Sequence, residues 1–183
     1  MDQIELVVLM GDDGCATGTA PKSDVHTGET PLHLAFSCYL LDDAGRLLLT
    51  RRALAKRTWP GVWTNSFCGH PGPREDLETA VHRRAAQELN VEVERIDLQL
   101  PNFRYRAIDA SGIVENEICP VFTAVARGPL LPEPSEVAEW IWVEPSAVIR
   151  SLETTPFVFS PWLREQLPAL VTVGAFGGAQ NRG

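Results

Sequence analysis

The sequence predicts an α+β fold built on a mixed β-sheet, and three observations carry that prediction. Strand-like runs dominate both halves of the chain, a single uninterrupted amphipathic segment stands between them, and two further helical segments close the C-terminal end. This order lacks the regular alternation of a βαβ winding. At 183 residues and 44% hydrophobic content, the chain has the size of one domain with a substantial core. No internal repeat or linker divides it.

The first run, IELVVLM at residues 4–10, is a strand; GDDG turns it, and CATGTAPK returns as the second arm of a hairpin. HLAFSCYLL, DDAG and RLLLTRR form a second strand-turn-strand unit. From Glu75 to Leu89 there is neither glycine nor proline, and Leu77, Val81, Ala85 and Leu89 recur at every fourth position, so this segment is a helix with an apolar seam. DLQLPNFRYRAI and IVENEICPVFTAVA read as strands joined through DASG, and AEWIWVE as another. PSAVIRSL opens on a proline suited to a first helical turn. SPWLREQLPAL repeats that signal, with Ser160 as N-cap before Pro161. Residues 171–183, glycine-rich and without periodicity, are expected to form a disordered tail, leaving 1–170 as the domain.

Composition narrows the partners. With 24 acidic against 16 basic residues, the chain is poorly suited to nucleic acid or an anionic membrane. A small anion could still be met by a local cluster of cations. IELVVLM lacks the basic start and cleavage site of a signal peptide, and no stretch is long enough to span a bilayer. Cys15, Cys38, Cys68 and Cys119 are scattered without CxxC spacing, which fits a reducing cytoplasm.

Several residues could carry chemistry. His26, His33 and His70 fall at loops or strand ends, while His82 lies inside the helix. In Glu115-Asn116-Glu117, strand alternation puts both carboxylates on one face. Like charges held so close in a partly buried strand are costly unless a cation or proton sits between them, although a solvated strand edge would relieve them too. Three imidazoles and two carboxylates make a mixed N/O set for a divalent transition metal or magnesium. Cys68-Gly69-His70 admits three readings: a nucleophilic Cys/His pair, half of a metal site, or an apolar turn. The cations of RRALAKR at 51–57 are either solvated surface or, with Lys22, Arg84 and Arg104 or Arg106, candidate phosphate ligands.

From Gly69 the chain reads GHPGPREDLETAVHRRAAQELNV, which matches the skeleton of a Nudix box: Gly69, five residues, Glu75, seven residues, Arg83, and a helix ending Glu88-Leu89-Asn90-Val91. Pyrophosphohydrolases of that superfamily carry a glutamate directly after the arginine, where this chain has Arg84. They carry another where it has Gln87. Only Glu88 survives of the late metal-binding pair, and losing anionic ligands weakens metal-assisted hydrolysis.

HTGETPLHLAFS, TRRALAKRTWPGVWTNSFCGHP, FRYRA, GIVENEICPVF and FSPW, in this order across residues 3–168, together resemble type I isopentenyl diphosphate isomerase, a family of the Nudix superfamily. The resemblance implies a Nudix-like mixed β-sheet packed between helices. It implies an enzyme of isoprenoid biosynthesis that interconverts isopentenyl and dimethylallyl diphosphate by protonation and deprotonation, a 1,3-allylic shift. By the same resemblance, His26, His33, His70, Glu115 and Glu117 hold one divalent metal (manganese, zinc or magnesium). Cys68 and Glu117 form the acid/base pair, and Tyr105 and Trp162 surround the reacting alkene. Lys22, Arg52, Lys56 and Arg84 contact the diphosphate, and Glu88 ligates a Mg²⁺ that also holds it. From the residues alone, Trp162 could equally be a core aromatic and Tyr105 a packing residue. The expected partner is a small isoprenyl diphosphate, with no nucleic acid or membrane, and the expected state a cytoplasmic monomer or weak homodimer.

Overall fold

A computed structural model describes residues 5–177. Its strands are β1 (Leu6–Met10), β2 (Ala16–Pro21), β3 (His33–Leu34), β4 (Phe36–Leu41), β5 (Leu47–Arg52), β6 (Trp63–Thr64), β7 (Phe67–Gly69), β8 (Glu92–Leu100), β9 (Arg104–Ile108), β10 (Val114–Ile118), β11 (Val121–Arg127) and β12 (Val137–Val143). Its helices are α1 (Lys22–Val25), α2 (Leu77–Leu89), α3 (Pro145–Thr154) and α4 (Pro161–Thr172).

The strands form two sheets rather than one. The first runs β2-β1-β3-β10-β9 and the second β12-β5-β4-β11-β8, with β6 added to β5 and β7 to β4. Two runs that read as continuous strands are each cut in two. HLAFSCYLL breaks at Ala35 into β3 and β4, and IVENEICPVFTAVA breaks at Cys119-Pro120 into β10 and β11. Pro120 has no N–H with which to continue a ladder. The two crossings run side by side, because Ala35 N–H donates to Ile118 O at 2.9 Å and Ser37 N–H to Pro120 O at 3.1 Å. Hence β3 pairs parallel with β10 in the first sheet, and β4 pairs parallel with β11 in the second. DLQLPNFRYRAI likewise divides, at a turn beginning with Pro101, into β8 and β9.

Alternation along the central strands places helices on both faces of the second sheet. Cys38, Leu40, Leu48, Phe122 and Ala124 pack with Ala80, Val81, Ala85 and Leu89 of α2. Tyr39, Leu47, Leu49 and Val121 point the other way, onto Val148 of α3 and Leu163, Leu167 and Leu170 of α4. Covered on both sides, β4 is buried from Phe36 to Leu40, which is why FSCYLL lacks the alternation of a strand with one solvated face. The expected mixed sheet packed between helices is therefore present.

Helix ends follow local chemistry. Asp76 caps α2, accepting the Thr79 N–H at 2.9 Å, so the helix starts at Leu77 rather than at Glu75. Asn90 ends it in the left-handed region at φ 49°. Ser160 caps α4, as expected, by accepting the Leu163 N–H at 3.3 Å. The boundary drawn at residue 171 is corrected: α4 continues to Thr172, and the Phe176 ring packs against Tyr39 with centroids 6.5 Å apart. Residues 178–183 lie outside the described residues. Among the described residues, no helix is long and apolar enough to cross a membrane.

Candidate active site

A cavity of about 570 Å³ draws its walls from both sheets, α2 and α4. Strand register aligns its reactive row. Glu117 of β10 stands opposite His33 of β3 on one side and Tyr105 of β9 on the other. The adjacent Asn116 turns away and donates to Thr30 O at 3.3 Å, so Glu115 and Glu117 do share a face.

His26 follows α1, His33 opens β3 and His70 follows β7, yet their rings converge, with centroids 5.1 to 5.6 Å apart. One ligand atom from each of His26, His33, His70 and Glu117 lies within 4.8 Å of all the others. Glu117 Oε1 is 3.5 Å from His33 Nε2 and 3.4 Å from His70 Nε2. Glu115 stands just outside this group: its Oε2 is 3.0 Å from His26 Nε2, while its Oε1 accepts from the Thr58 hydroxyl at 2.9 Å. His33 Nδ1 must donate to Pro31 O, 2.9 Å away, because a carbonyl only accepts. That leaves Nε2 to present its lone pair to the cluster, the second-sphere arrangement that orients a ligating imidazole.

The donor set fits a divalent cation. His33 Nε2, both ring nitrogens of His70 and Glu115 Oε2 are buried without a hydrogen-bond partner. Burial pushes the His70 imidazole down to about 4, the neutral state a ligand needs. His33 is shifted the other way: burial lowers it, but the Glu117 carboxylate, with the Pro31 carbonyl and Glu115, more than offsets this. Burial likewise opposes ionisation of Glu117, and its contacts with His33 and His70 outweigh that, holding its carboxyl well below the usual range. His82 is exposed on α2 and takes no part.

Cys68 and His70 do not form a nucleophilic pair. The Cys68 sulfur has Asn65 Nδ2 at 3.3 Å and Ser37 Oγ at 3.4 Å as neighbours, while His70 faces the carboxylate. Burial pushes the thiol up to about 12; the Ser37 and Asn65 contacts pull against that, and the negative charges of Glu117 and Glu88 add to it. Burial thus favours the neutral thiol over the thiolate.

Aromatic side chains build an apolar wall. Trp162 is buried, its ring centroid lies 5.8 Å from that of Tyr105 and 5.5 Å from that of Trp59, and its indole N–H donates to Asn65 Oδ1 at 2.8 Å. Burial keeps the Tyr105 phenol neutral. Arg104 and Arg106 flank Tyr105 on the exposed face, and Arg104 pairs with Asp12 at 3.0 Å. Neither faces the cavity.

Lys22, Arg52, Lys56 and Arg84 all line it. Three of them meet carboxylates. Lys22 pairs with Glu5 at 2.9 Å, Lys56 pairs with Glu136, and Arg84 pairs with Glu88 one turn along α2 and lies 3.7 Å from Glu136. Arg52 instead donates to Thr58 O at 2.9 Å and lies over the Trp162 ring, 5.6 Å from its centroid. Burial raises the Glu88 carboxyl above its ordinary value, against the pull of Arg84. Glu5, Glu136, Thr58, Ser37 and Asn65 were not singled out from the sequence. Asn65 lies inside TNSFCGHP and was visible there, whereas Glu5 and Glu136 carry no local signal.

Comparison with known proteins agrees with this geometry. The NUDIX domain family matches residues 31–165. Isopentenyl-diphosphate Delta-isomerase of Clavibacter michiganensis subsp. michiganensis is 63% identical over 166 residues, covering 91% of this chain and 86% of that protein. The protein of the same name from Paenarthrobacter aurescens is 58% identical, covering 96% and 95%. In fold, the chain resembles DR0079 of Deinococcus radiodurans, with TM-score 0.69 and 18% identity over 90% of this chain and 98% of that one. A MutT protein of Methanosarcina mazei gives TM-score 0.59 and 19% identity over 83% and 97%. On these matches, the chain belongs to the isopentenyl-diphosphate Delta-isomerase family of NUDIX-domain proteins.

Proposed function

We infer that this chain interconverts isopentenyl and dimethylallyl diphosphate, with Cys68 and Glu117 as its proton-transfer pair. The observation that carries this reading is a single cavity lined by the half-buried Cys68 thiol and the buried Glu117 carboxylate together with four cations suited to a diphosphate. Moving the double bond requires a proton added at the terminal alkene carbon and another lost from C2, with positive charge developing at the tertiary carbon between. One group must give and the other accept. A thiol that holds its proton and a carboxylate that has lost its own are complementary in this respect. In the reverse direction the roles exchange, and exchange with solvent restores the starting protonation after each turnover.

Tyr105, register partner of Glu117, lends a neutral phenol beside that carboxylate. The face of Trp162 stabilises positive charge by about 0.5–2 kcal/mol, and the aromatic wall keeps out water that would trap the cation as an alcohol. His26, His33, His70 and Glu117, with Glu115 alongside, would hold Mn²⁺, Zn²⁺ or Mg²⁺, which would keep Glu117 ionised and fixed. Lys22, Arg52, Lys56 and Arg84 grip the diphosphate. Glu5, Glu88 and Glu136 already face these four cations, so a diphosphate exceeds the positive charge on offer, and Mg²⁺ at Glu88 would supply the balance.

Arg84 and Gln87 bond to each other at 3.3 Å where hydrolases of this fold place carboxylates, so the diphosphate is held without the ligands that promote its cleavage. All four cysteines are free, which is the reason to place the protein in a reducing cytoplasm. A monomer or weak homodimer is the state that sedimentation should find.

The decisive experiment is incubation with isopentenyl diphosphate in D₂O plus divalent metal, followed by NMR. Deuterium incorporation and formation of dimethylallyl diphosphate are expected. No exchange and no product with the metal site filled, or release of phosphate instead, would overturn the assignment.

A further inference from the structure

Behind the cavity wall, a buried polar chain ends on the Cys68 sulfur, and elementary hydrogen-bond chemistry sets the direction of its first two links. Tyr39, Gln166 and Ser37 have no solvent exposure and do not line the cavity. The Tyr39 hydroxyl donates to Gln166 Oε1 at 3.0 Å, which turns the amide so that Nε2 donates to Ser37 Oγ, also at 3.0 Å. Having accepted that bond, Ser37 points its own hydrogen elsewhere. Its remaining polar neighbours are the sulfurs of Cys68 and Cys119, each 3.4 Å away.

Asn65 closes the other side. Its Oδ1 accepts from the Trp162 indole and from the Thr64 hydroxyl, each at 2.8 Å, so both lone pairs are taken. The Cys68 thiol is a third donor within reach of that oxygen, at 3.4 Å. The Asn65 amide nitrogen donates to Phe67 O at 2.8 Å and to Cys38 O at 3.1 Å, and stands 3.3 Å from the sulfur. Ser37 and Asn65 therefore hold the Cys68 sulfur from two sides.

Such a chain has a cost. Tyr39 packs among Leu163, Leu167 and Leu170, where an apolar side chain would need no partner, and buried polar groups are tolerated only when every member is satisfied. Trp162 and Gln166 are one turn apart on α4 and reach the thiol through Asn65 and Ser37 respectively. We propose that Ser37 and Gln166 are positioning residues which, together with Asn65, fix the Cys68 sulfur at the cavity wall where the substrate meets it, α4 setting the geometry. The proposal rests on Cys68 acting as a proton-transfer group.

Two variants test it: Ser37→Ala, which removes the acceptor of Gln166 Nε2, and the double variant Tyr39→Phe with Gln166→Met, which removes donor and acceptor together. Each is expected to lower kcat about tenfold, the factor that ~1.4 kcal/mol represents, with the KM for isopentenyl diphosphate within about twofold of wild type. Bound metal should be unchanged. The S–H Raman band assigned to Cys68 by difference from Cys68→Ala should shift in both variants, and Ser37→Thr should recover kcat. Wild-type kcat in both variants, or an unshifted S–H band, overturns the proposal. If Cys68→Ala loses turnover while both variants keep it, only the positioning role fails. If Cys68→Ala itself keeps turnover, the assignment of Cys68 fails and the proposal falls with it.

Discussion

A Cβ placed on Gly69 would lie 2.6 Å from Arg84 Cγ and 2.9 Å from the Phe36 ring. The loop that carries Cys68 and His70 thus meets the helix that carries Arg84 and Glu88 through a gap that only glycine fills. Gly69→Ala must push the loop and α2 apart. It is expected to cost about 1–3 kcal/mol in denaturant unfolding, with a loss in kcat/KM larger than that in the folded fraction, since one shift disturbs the thiol, the metal ligand and the phosphate contact together. Unfolding and activity curves that match wild type would show that the gap relaxes.

Cys68→Ser and Glu117→Gln each remove one proton-transfer group. Each should lower kcat by about 10²–10⁴-fold, measured by NMR conversion of isopentenyl diphosphate. Glu117→Gln should also lower the bound-metal stoichiometry, whereas Cys68→Ser should leave it intact. Turnover near wild type in either variant contradicts its assigned role.

Acid should destabilise the chelated protein through His70. Burial lowers its folded value to about 4 from an ordinary 6.5, so between those pH values the unfolded chain binds more protons than the folded one. Its contribution is present above pH 6.5 and is lost as pH falls toward 4. The amount is on the order of 3 kcal/mol before coupling to its neighbours reduces it. His33, shifted upward, contributes in the opposite sense, most strongly below pH 6.5. Comparing urea unfolding of wild type and His70→Asn in EDTA isolates the His70 part: the variant should show a shallower decline across that window. Parallel curves would argue against a neutral imidazole.

Thr58 supports the metal site from the second sphere by donating to Glu115. Thr58→Val should weaken divalent-cation affinity about 10–100-fold in calorimetric titration, and should reduce the rise in Tm that added Mn²⁺ produces in wild type. Unchanged affinity would place Glu115 outside the metal's sphere of influence.

Arg52 is the one expected phosphate contact that meets no carboxylate among the described residues. Arg52→Gln should raise the KM for isopentenyl diphosphate about tenfold to hundredfold, as loss of a hydrogen bond to a charged group requires, with a smaller change in kcat. A larger effect on kcat than on KM would place Arg52 with the alkene, through Trp162, rather than with the diphosphate.

The sequence by itself determined whatever local period and chemistry can encode. The four-residue seam from Leu77 to Leu89 marked α2, Asp76 and Asn90 bound it, and alternation through Glu115-Asn116-Glu117 put two carboxylates on one face. Family motifs supplied the candidate ligands. Other features had no local signature. Strands β6 and β7 are too short for any periodicity, and they exist only because β5 and β4 offer them edges. The breaks at Ala35 and Pro120 come from a change of pairing partner between the two sheets. Tertiary structure alone brought His26, His33 and His70 together, set Glu117 between His33 and Tyr105, capped Lys22 and Lys56 with Glu5 and Glu136, and led Tyr39 through Gln166 and Ser37 to the thiol. Local sequence decides which face a side chain occupies, but strand register and helix docking decide what stands opposite it, and charge and proton transfer depend on that opposition.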